Sequence, residues 1–241
     1  MKTYRDEAVV LRTHKLGESD RIVTLLTRSH GQVRAVAKGV RKTTSRFGAR
    51  LEPFSLVDVQ LYRGRNLDTV QQVELVNAYA PALTADYQLF TCATLMVEAA
   101  EQFTDEDSAT HQHLLLVGGL HAIATRRHPT QLVLDSYLLR AVAVAGWAPS
   151  FHDCASCGMP GPHASFSIAA GGAVCDVCRP PGSASPDPAT LVLLGDLLSG
   201  DWASAEASPR RIRDEASGLV TAYLQWHVER RLKSLPMVER V

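Results

Sequence analysis

The chain has 241 residues, 46% apolar and 21% charged, with 25 Lys+Arg against 25 Asp+Glu. This composition excludes a disordered or collagen-like chain and allows one large domain or two to three small ones, with roughly 70% of the unfolded surface buried on folding. The apolar stretch 114–124 is too short for a membrane helix, and Asp6 and Glu7 fall where a signal peptide is apolar, so a cytoplasmic protein is expected.

Residues 4–80 read as five short strands, at 8–11, 22–26, 33–37, 54–61 and 70–76. Each is four to eight residues long and rich in β-branched side chains, and two alternate apolar with polar. The breaks carry turn chemistry: Leu16-Gly17-Glu18-Ser19, Ser29-His30-Gly31 and Arg63-Gly64-Arg65-Asn66. Five strands in so few residues suit a small closed barrel, because closure removes exposed edges. An OB-like barrel is the first choice and an SH3-like barrel the second.

The neutral total hides an asymmetry. Residues 1–80 hold 14 Lys+Arg and 8 Asp+Glu, a balance of +6, whereas residues 81–241 hold 11 and 17, a balance of −6. No acid occurs between Arg21 and Leu51, while Arg21, Arg28, Arg34, Lys38, Arg41, Lys42, Arg46 and Arg50 all fall there. Charge separated in this way points to a polyanion that meets one part of the chain. Within the run, Lys38-Gly39-Val40-Arg41-Lys42-Thr43-Thr44-Ser45-Arg46 leaves a strand, turns at Gly39 and continues as a cationic loop with three hydroxyls. Lys and Arg neutralise phosphates and release counterions, and hydroxyls add hydrogen bonds to phosphate oxygens. Arg34, Lys38, Arg41, Lys42, Arg46 and Arg50 are therefore the candidate nucleic-acid contacts. The bland alternative is a solvated loop. Aromatic residues are sparse here, with Phe47 the one ring in the loop, so backbone-driven binding fits better than base stacking.

After Pro81 the period becomes helical. Leu89, Ala93, Met96, Val97 and Ala100 share one face, with Thr84 as the expected cap. A second helix is expected over 109–126, separated from the first by the acids Asp105-Glu106-Asp107, which read as a solvated loop. A third runs over 129–145, is apolar almost all round and stops at Gly146, which predicts a central place in its bundle. Two later helices open at Asp187-Pro188 and Ser208-Pro209, a capping residue followed by Pro in the first turn. The last places Ile212, Ala216, Leu219, Tyr223 and His227 on one side, and the Pro/Ser-rich stretch 180–188 reads as a linker.

Four of the five cysteines form Cys154-Ala-Ser-Cys157, seventeen intervening residues, and Cys175-Asp-Val-Cys178. Two residues between ligands let a tight turn present both sulfurs to one tetrahedral ion, and a hairpin brings the second pair opposite. Residues 165–168 and 171–174 are the expected hairpin arms, and Gly158 sits where such a knuckle needs an unusual backbone conformation. Disulfides or a pair of redox motifs are the alternatives. A set of four thiolates leaves no position for water, so one structural Zn²⁺ per chain is expected, with His152 and His163 outside the shell. Cys92 reads as a small core residue. There is no phosphate-binding Gly-rich loop, no H-E-x-x-H and no G-x-S-x-G, so a catalytic role is not expected.

Ala8-Val9-Val10-Leu11, Leu16-Gly17-Glu18-Ser19-Asp20-Arg21-Ile22, Ala35-Val36-Ala37-Lys38-Gly39-Val40-Arg41-Lys42 and Leu51-Glu52-Pro53-Phe54 resemble the RecO family of bacterial recombination mediators. The resemblance is closest over 5–60 and looser along the rest of the chain; some members lack the cysteines. It implies an α+β multi-domain protein: an OB-like five-stranded β-barrel over 1–80, then a helical domain over 81–149 and 182–241, with the four-cysteine zinc module inserted at 150–181. It further implies a non-enzymatic DNA repair factor that binds single- and double-stranded DNA and anneals complementary strands. With RecR, such a factor helps load RecA onto strands coated by single-stranded DNA-binding protein, which some members contact directly. A nucleoid-associated location and no membrane partner go with that role. The competing readings are a zinc-stabilised protein–protein adaptor with an incidental basic loop and a metal-dependent nucleic-acid enzyme.

Overall fold

Five strands pair edge to edge until the last meets the first: β1 (Thr3–Leu16), β2 (Asp20–Thr27), β3 (Gly31–Ala37), β4 (Ser55–Tyr62) and β5 (Asp68–Ala78) form a closed barrel in the order β1-β2-β3-β5-β4. This is seen in a computed structural model that describes residues 2–42, 45, 47–105, 107–228 and 232–238. The one parallel contact joins Ala35 and Val36 of β3 to Asp68 and Thr69 of β5, which makes the barrel the OB-like form. β1 is much longer than the four apolar residues suggest, because it serves two partners. Its first half pairs with β4 and its second with β2, and the register shifts by one residue between Val10 and Arg12. Such a bulge bends a strand around a barrel corner.

The consecutive apolar residues of β1 are buried on both faces. Ala8 and Val10 join the barrel core, which Val40, Phe47 and Leu51 complete from the β3–β4 connection. Val9 and Leu11 face outward, beneath α2 (Tyr87–Phe103) and α3 (Ala109–Ala124), which pack on the barrel after the short α1 (Ala80–Thr84). His113 of α3, fully buried, joins the layers: one ring nitrogen lies 3.1 Å from the Leu26 carbonyl and the other 3.1 Å from the Glu7 carboxylate. β4 begins one residue later than the apolar run, because Phe54 takes a φ of 68° and turns its ring edge-on to Phe90.

Asp86, not Thr84, caps α2. Its carboxylate accepts from the Gln88 and Leu89 amides at 2.9 and 3.2 Å, while the Thr84 hydroxyl donates to Ala80 in α1. A carboxylate is the better acceptor at the positive end of a helix. Cys92 is a fully buried core residue on α2.

The chain divides into two compact units, Met1–Thr125 and Arg126–Val241. In the second, α4 (Thr130–Val144) packs against α5 (Pro188–Ser199) and α7 (Arg210–His227), and buries an unbroken run from Leu132 to Leu139. Asp187 caps α5 through the Ala189 amide. Ser208 does not cap α7: an unexpected short helix, α6 (Trp202–Ala207), ends at this residue, and the Ser208 hydroxyl donates to its Ala205 carbonyl. The 180–188 stretch is not a free linker, because Ala184 exchanges two backbone hydrogen bonds with Phe166, each 2.9 Å. No helix among the described residues is long and apolar enough to cross a membrane.

Candidate nucleic-acid interface and metal centre

The cationic segment is built on the rim of the barrel. Beyond β3 the chain turns at Gly39, whose φ of +65° lies in the left-handed region that favours glycine. Val40 then drops into the barrel core, so the residues on either side are left pointing out. Lys38, Arg41 and Lys42 are exposed. The turn between β1 and β2 holds them. The Arg41 amide donates to the Ser19 carbonyl at 2.9 Å, and the Arg41 guanidinium reaches the Glu18 and Gly17 carbonyls at 3.0 and 3.4 Å. The Gly39 amide donates to the Asp20 carboxylate at 2.7 Å, and the Ser19 hydroxyl donates to the same oxygen at 3.0 Å. These two bonds, and then the charges of Lys38 and Lys42, hold the Asp20 carboxyl below the usual carboxylate range.

Arg34 is exposed on β3, beside the Ala35–Asp68 contact where the β4–β5 loop ends. Among the described residues, Arg34, Lys38, Arg41 and Lys42 make no ion pair with a carboxylate within 4.0 Å. Arg50 sits in a short 3₁₀ turn (Gly48–Leu51), where its guanidinium reaches the Val73 carbonyl. Arg46, Thr43 and Thr44 lie outside the described residues. Phe47 is not a stacking platform: it is 3% exposed and fills the barrel.

The acid-free stretch of sequence is not acid-free in space. Glu52 pairs with Arg21 at 2.7 Å, and outside the run Glu101 pairs with Arg12 and Asp58 with Arg5. Two further cations lie outside the 21–51 run, Arg63 and Arg65, both exposed in the β4–β5 loop, which leads into the Asp68–Ala35 pairing with β3. Arg63 lies over the Tyr4 ring, 5.2 Å from its centroid, and the Tyr4 hydroxyl is bonded to Asp68. The signal was present in Arg63-Gly64-Arg65, which marks a turn and carries two charges. In OB barrels the β1–β2 and β4–β5 loops and the face of strands 2 and 3 are where oligonucleotides lie.

The second site is the cysteine cluster. Two three-residue strands, β6 (Ser165–Ser167) and β7 (Gly172–Val174), form the expected hairpin. The first knuckle is closed by the Gly158 amide on the Cys154 carbonyl at 2.8 Å, with Gly158 at a φ of +73°. The Ala155 amide donates to the Ala173 carbonyl at 2.8 Å and ties this knuckle to the hairpin. The sulfurs of Cys154, Cys157, Cys175 and Cys178 all lie within 4.8 Å of one another, with Cys157 and Cys175 3.9 Å apart. Zinc–sulfur bonds of about 2.3 Å in a tetrahedron put sulfurs about 3.8 Å apart, so the set fits a tetrathiolate metal centre.

The backbone amide of Cys175, 3.4 Å from the Cys154 sulfur, heads the contacts that pull that thiol down to about 6. The neighbouring Cys157 and Cys175 push Cys178 up to about 12. Four sulfurs this close resist joint ionisation, and a divalent cation removes that repulsion. His152 instead pairs with Asp153, and His163 meets the Met159 carbonyl. Among the described residues no other group of three or more His, Cys, Asp or Glu is arranged to hold a metal, and Asp105 accepts from the Ser108 amide in a helix-entry turn.

The module is anchored by Phe166, 2% exposed, whose ring stacks on Phe151 at 6.0 Å and meets Tyr223 of α7 at 6.2 Å. Beside it lies a cavity of about 280 Å³ lined by Trp147, Ser150, Gly171, Tyr223 and His227. The His227 ring stacks on Trp147, and its Nε2 is buried without a hydrogen-bond partner among the described residues.

Comparison with known families covers almost the whole chain. Residues 1–79 match the family model Recombination protein O N terminal, and residues 84–236 match Recombination protein O C terminal. The boundary between the matches falls at the end of the barrel, and the second match includes all four clustered cysteines. The chain therefore belongs to the recombination protein O family, with a role in DNA repair and recombination.

Proposed function

We propose that the protein is a non-enzymatic mediator that binds the backbones of single- and double-stranded DNA along the barrel rim and anneals complementary strands. Arg34, Lys38, Arg41 and Lys42 make phosphate contacts in this reading, Arg63 and Arg65 extend the track, and Arg46 and Arg50 complete the set expected from sequence. Through the family likeness, the protein acts with RecR to help load RecA onto strands coated by single-stranded DNA-binding protein. Its place is then in the cytoplasm, on the nucleoid. The observation that carries the reading is the seating of Lys38, Arg41 and Lys42 on the β1–β2 turn, exposed and unpaired by any described carboxylate within ion-pair distance.

Annealing needs two phosphate backbones screened while base edges stay accessible, and a cationic rim poor in exposed rings does that without a nucleotide or catalytic metal. The cysteine cluster holds one Zn²⁺ in this reading, which cross-links the module. With all four positions occupied by thiolate it is structural, and its net negative charge keeps it from contacting phosphate directly.

A titration of fluorescent single-stranded oligonucleotide between about 50 and 200 mM salt tests this. Each phosphate contact contributes about 0.7 to the slope of log K against log salt on single strands, so Lys38→Ala, Arg41→Ala and Lys42→Ala together should flatten the slope by about 2 and slow annealing. A wild-type slope near zero would sink the mediator reading. It would favour the adaptor reading, which the apolar knuckle tip supports, with Val177 90% and Met159 52% exposed.

A further inference from the structure

We propose that Asp20 is a positioning residue of the nucleic-acid rim: an acid placed among the cations that raises affinity for DNA by fixing the course of the loop that carries them. The inference rests on the barrel rim being the DNA-binding surface.

Charge counting and geometry give opposite signs here. By charge alone, a carboxylate near Lys38 and Lys42 repels phosphate, and its removal should strengthen binding. By geometry, the same carboxylate is the acceptor for the Gly39 amide at 2.7 Å, at the point where the chain leaves β3 in a left-handed conformation. Gly39 begins a tight turn in which its carbonyl accepts from the Lys42 amide at 3.1 Å. The Lys42 side chain folds back over this glycine, 3.7 Å from where a Cβ would stand. The Arg41 amide bonds to Ser19, the neighbour of Asp20. Three cations are thus ordered by one turn, and Asp20 is the side chain that closes it. A charge-assisted bond to a backbone amide is among the stronger single contacts available to an exposed loop. An ordered loop also presents its charges without the entropy loss of arranging them on binding.

Titration of Asp20 leaves this arrangement intact at working pH. Its carboxyl lies below the ordinary range because of the Gly39 amide, then the Ser19 hydroxyl, then Lys38 and Lys42. The contribution is therefore fully present above about 3.9 and is lost only as pH falls through the lower folded value.

The test compares Asp20→Ala with Asp20→Asn in oligonucleotide titrations at fixed salt, with amide hydrogen exchange at Gly39 as a readout that does not involve DNA. Asp20→Ala should weaken single-strand binding about tenfold although it makes the rim more cationic, and the Gly39 amide should lose protection. Asp20→Asn keeps an oxygen acceptor and loses the charge, so it should restore Gly39 protection and bind within about twofold of wild type or tighter. Gly39→Ala, which changes no charge, should weaken binding as Asp20→Ala does, and keeps the test available if Asp20→Ala fails to fold. Asp20→Ala binding as tightly as wild type or more tightly overturns the inference while leaving the DNA-binding reading intact. A wild-type protein whose DNA binding ignores salt overturns that reading, and Gly39 protection unchanged in Asp20→Ala then overturns the positioning role independently.

Discussion

The barrel and the cysteine module are both small β structures, held by opposite means. Every barrel strand is at least seven residues long and has a partner on each side, and its interior is filled with side chains. The module has two strands of three residues each, and its core cluster contains Cys154, Val174 and Cys175, with Ala170 and Cys178 packed against it. A lone hairpin is marginal in water, and below a certain size apolar burial no longer offsets chain entropy. The barrel can therefore use its exterior for charge, whereas the module must commit its polar side chains to its own cohesion. That difference separates the cationic rim from the four-cysteine cluster: the rim's charges stand on a fold that is filled beneath them, whereas the cysteines, with Cys154 and Cys175 buried, form part of the module's own small core.

The largest effect that tests this contrast is expected from breaking the four-cysteine cluster. Cys154→Ser with Cys157→Ser should release about one metal equivalent per chain and unfold the module, since binding to such a site is worth about 10–16 kcal/mol in zinc-finger peptides. Barrel circular dichroism and the salt slope of DNA binding should survive. Elemental analysis with limited proteolysis checks this, and simultaneous loss of the barrel would break the contrast.

The converse substitution is Phe47→Ala, which removes a ring buried in the barrel core and should cost about 3–5 kcal/mol in denaturant unfolding, with metal content unchanged.

The smallest expected effect concerns His227. Burial depresses its basicity, so it favours the neutral form in the folded state. Its contribution is present above about 6.5, the unfolded value, and is lost as pH falls, because the unfolded chain then binds the extra proton. The thermal midpoint of the second unit should drop slightly between pH 7.5 and 5.5, and His227→Gln should reduce that drop.

Different parts of the site were legible to different degrees. The four-cysteine cluster could be read from spacing, because Cys-x-x-Cys imposes its geometry through a local turn. The cationic loop could be read as charge, but its partners could not: Arg21 is held by Glu52 and Arg12 by Glu101, contacts across 31 and 89 residues. Arg63 and Arg65 fall outside the acid-free run because that run is a local property of the chain, whereas the pairing that brings the end of their loop beside β3 is not. Thr84 and Ser208 looked like caps for the same reason. Each residue type was right, but short helices on either side, α1 and α6, took the hydroxyls for their own last turns.

Alternating and β-branched residues, the glycines at the turns and the paired cysteines determined the barrel, the helices and the four-cysteine module from sequence, because each is encoded within a few residues of itself. Barrel closure, by contrast, was settled only when β3 and β5 met in parallel, and that pairing also put Arg34 beside the β4–β5 loop. The tertiary structure alone made Asp20 the acceptor for Gly39 nineteen residues away. Whether a carboxylate repels a ligand or arranges the charges that attract it depends on which amide it meets, and that is decided by how strands pack.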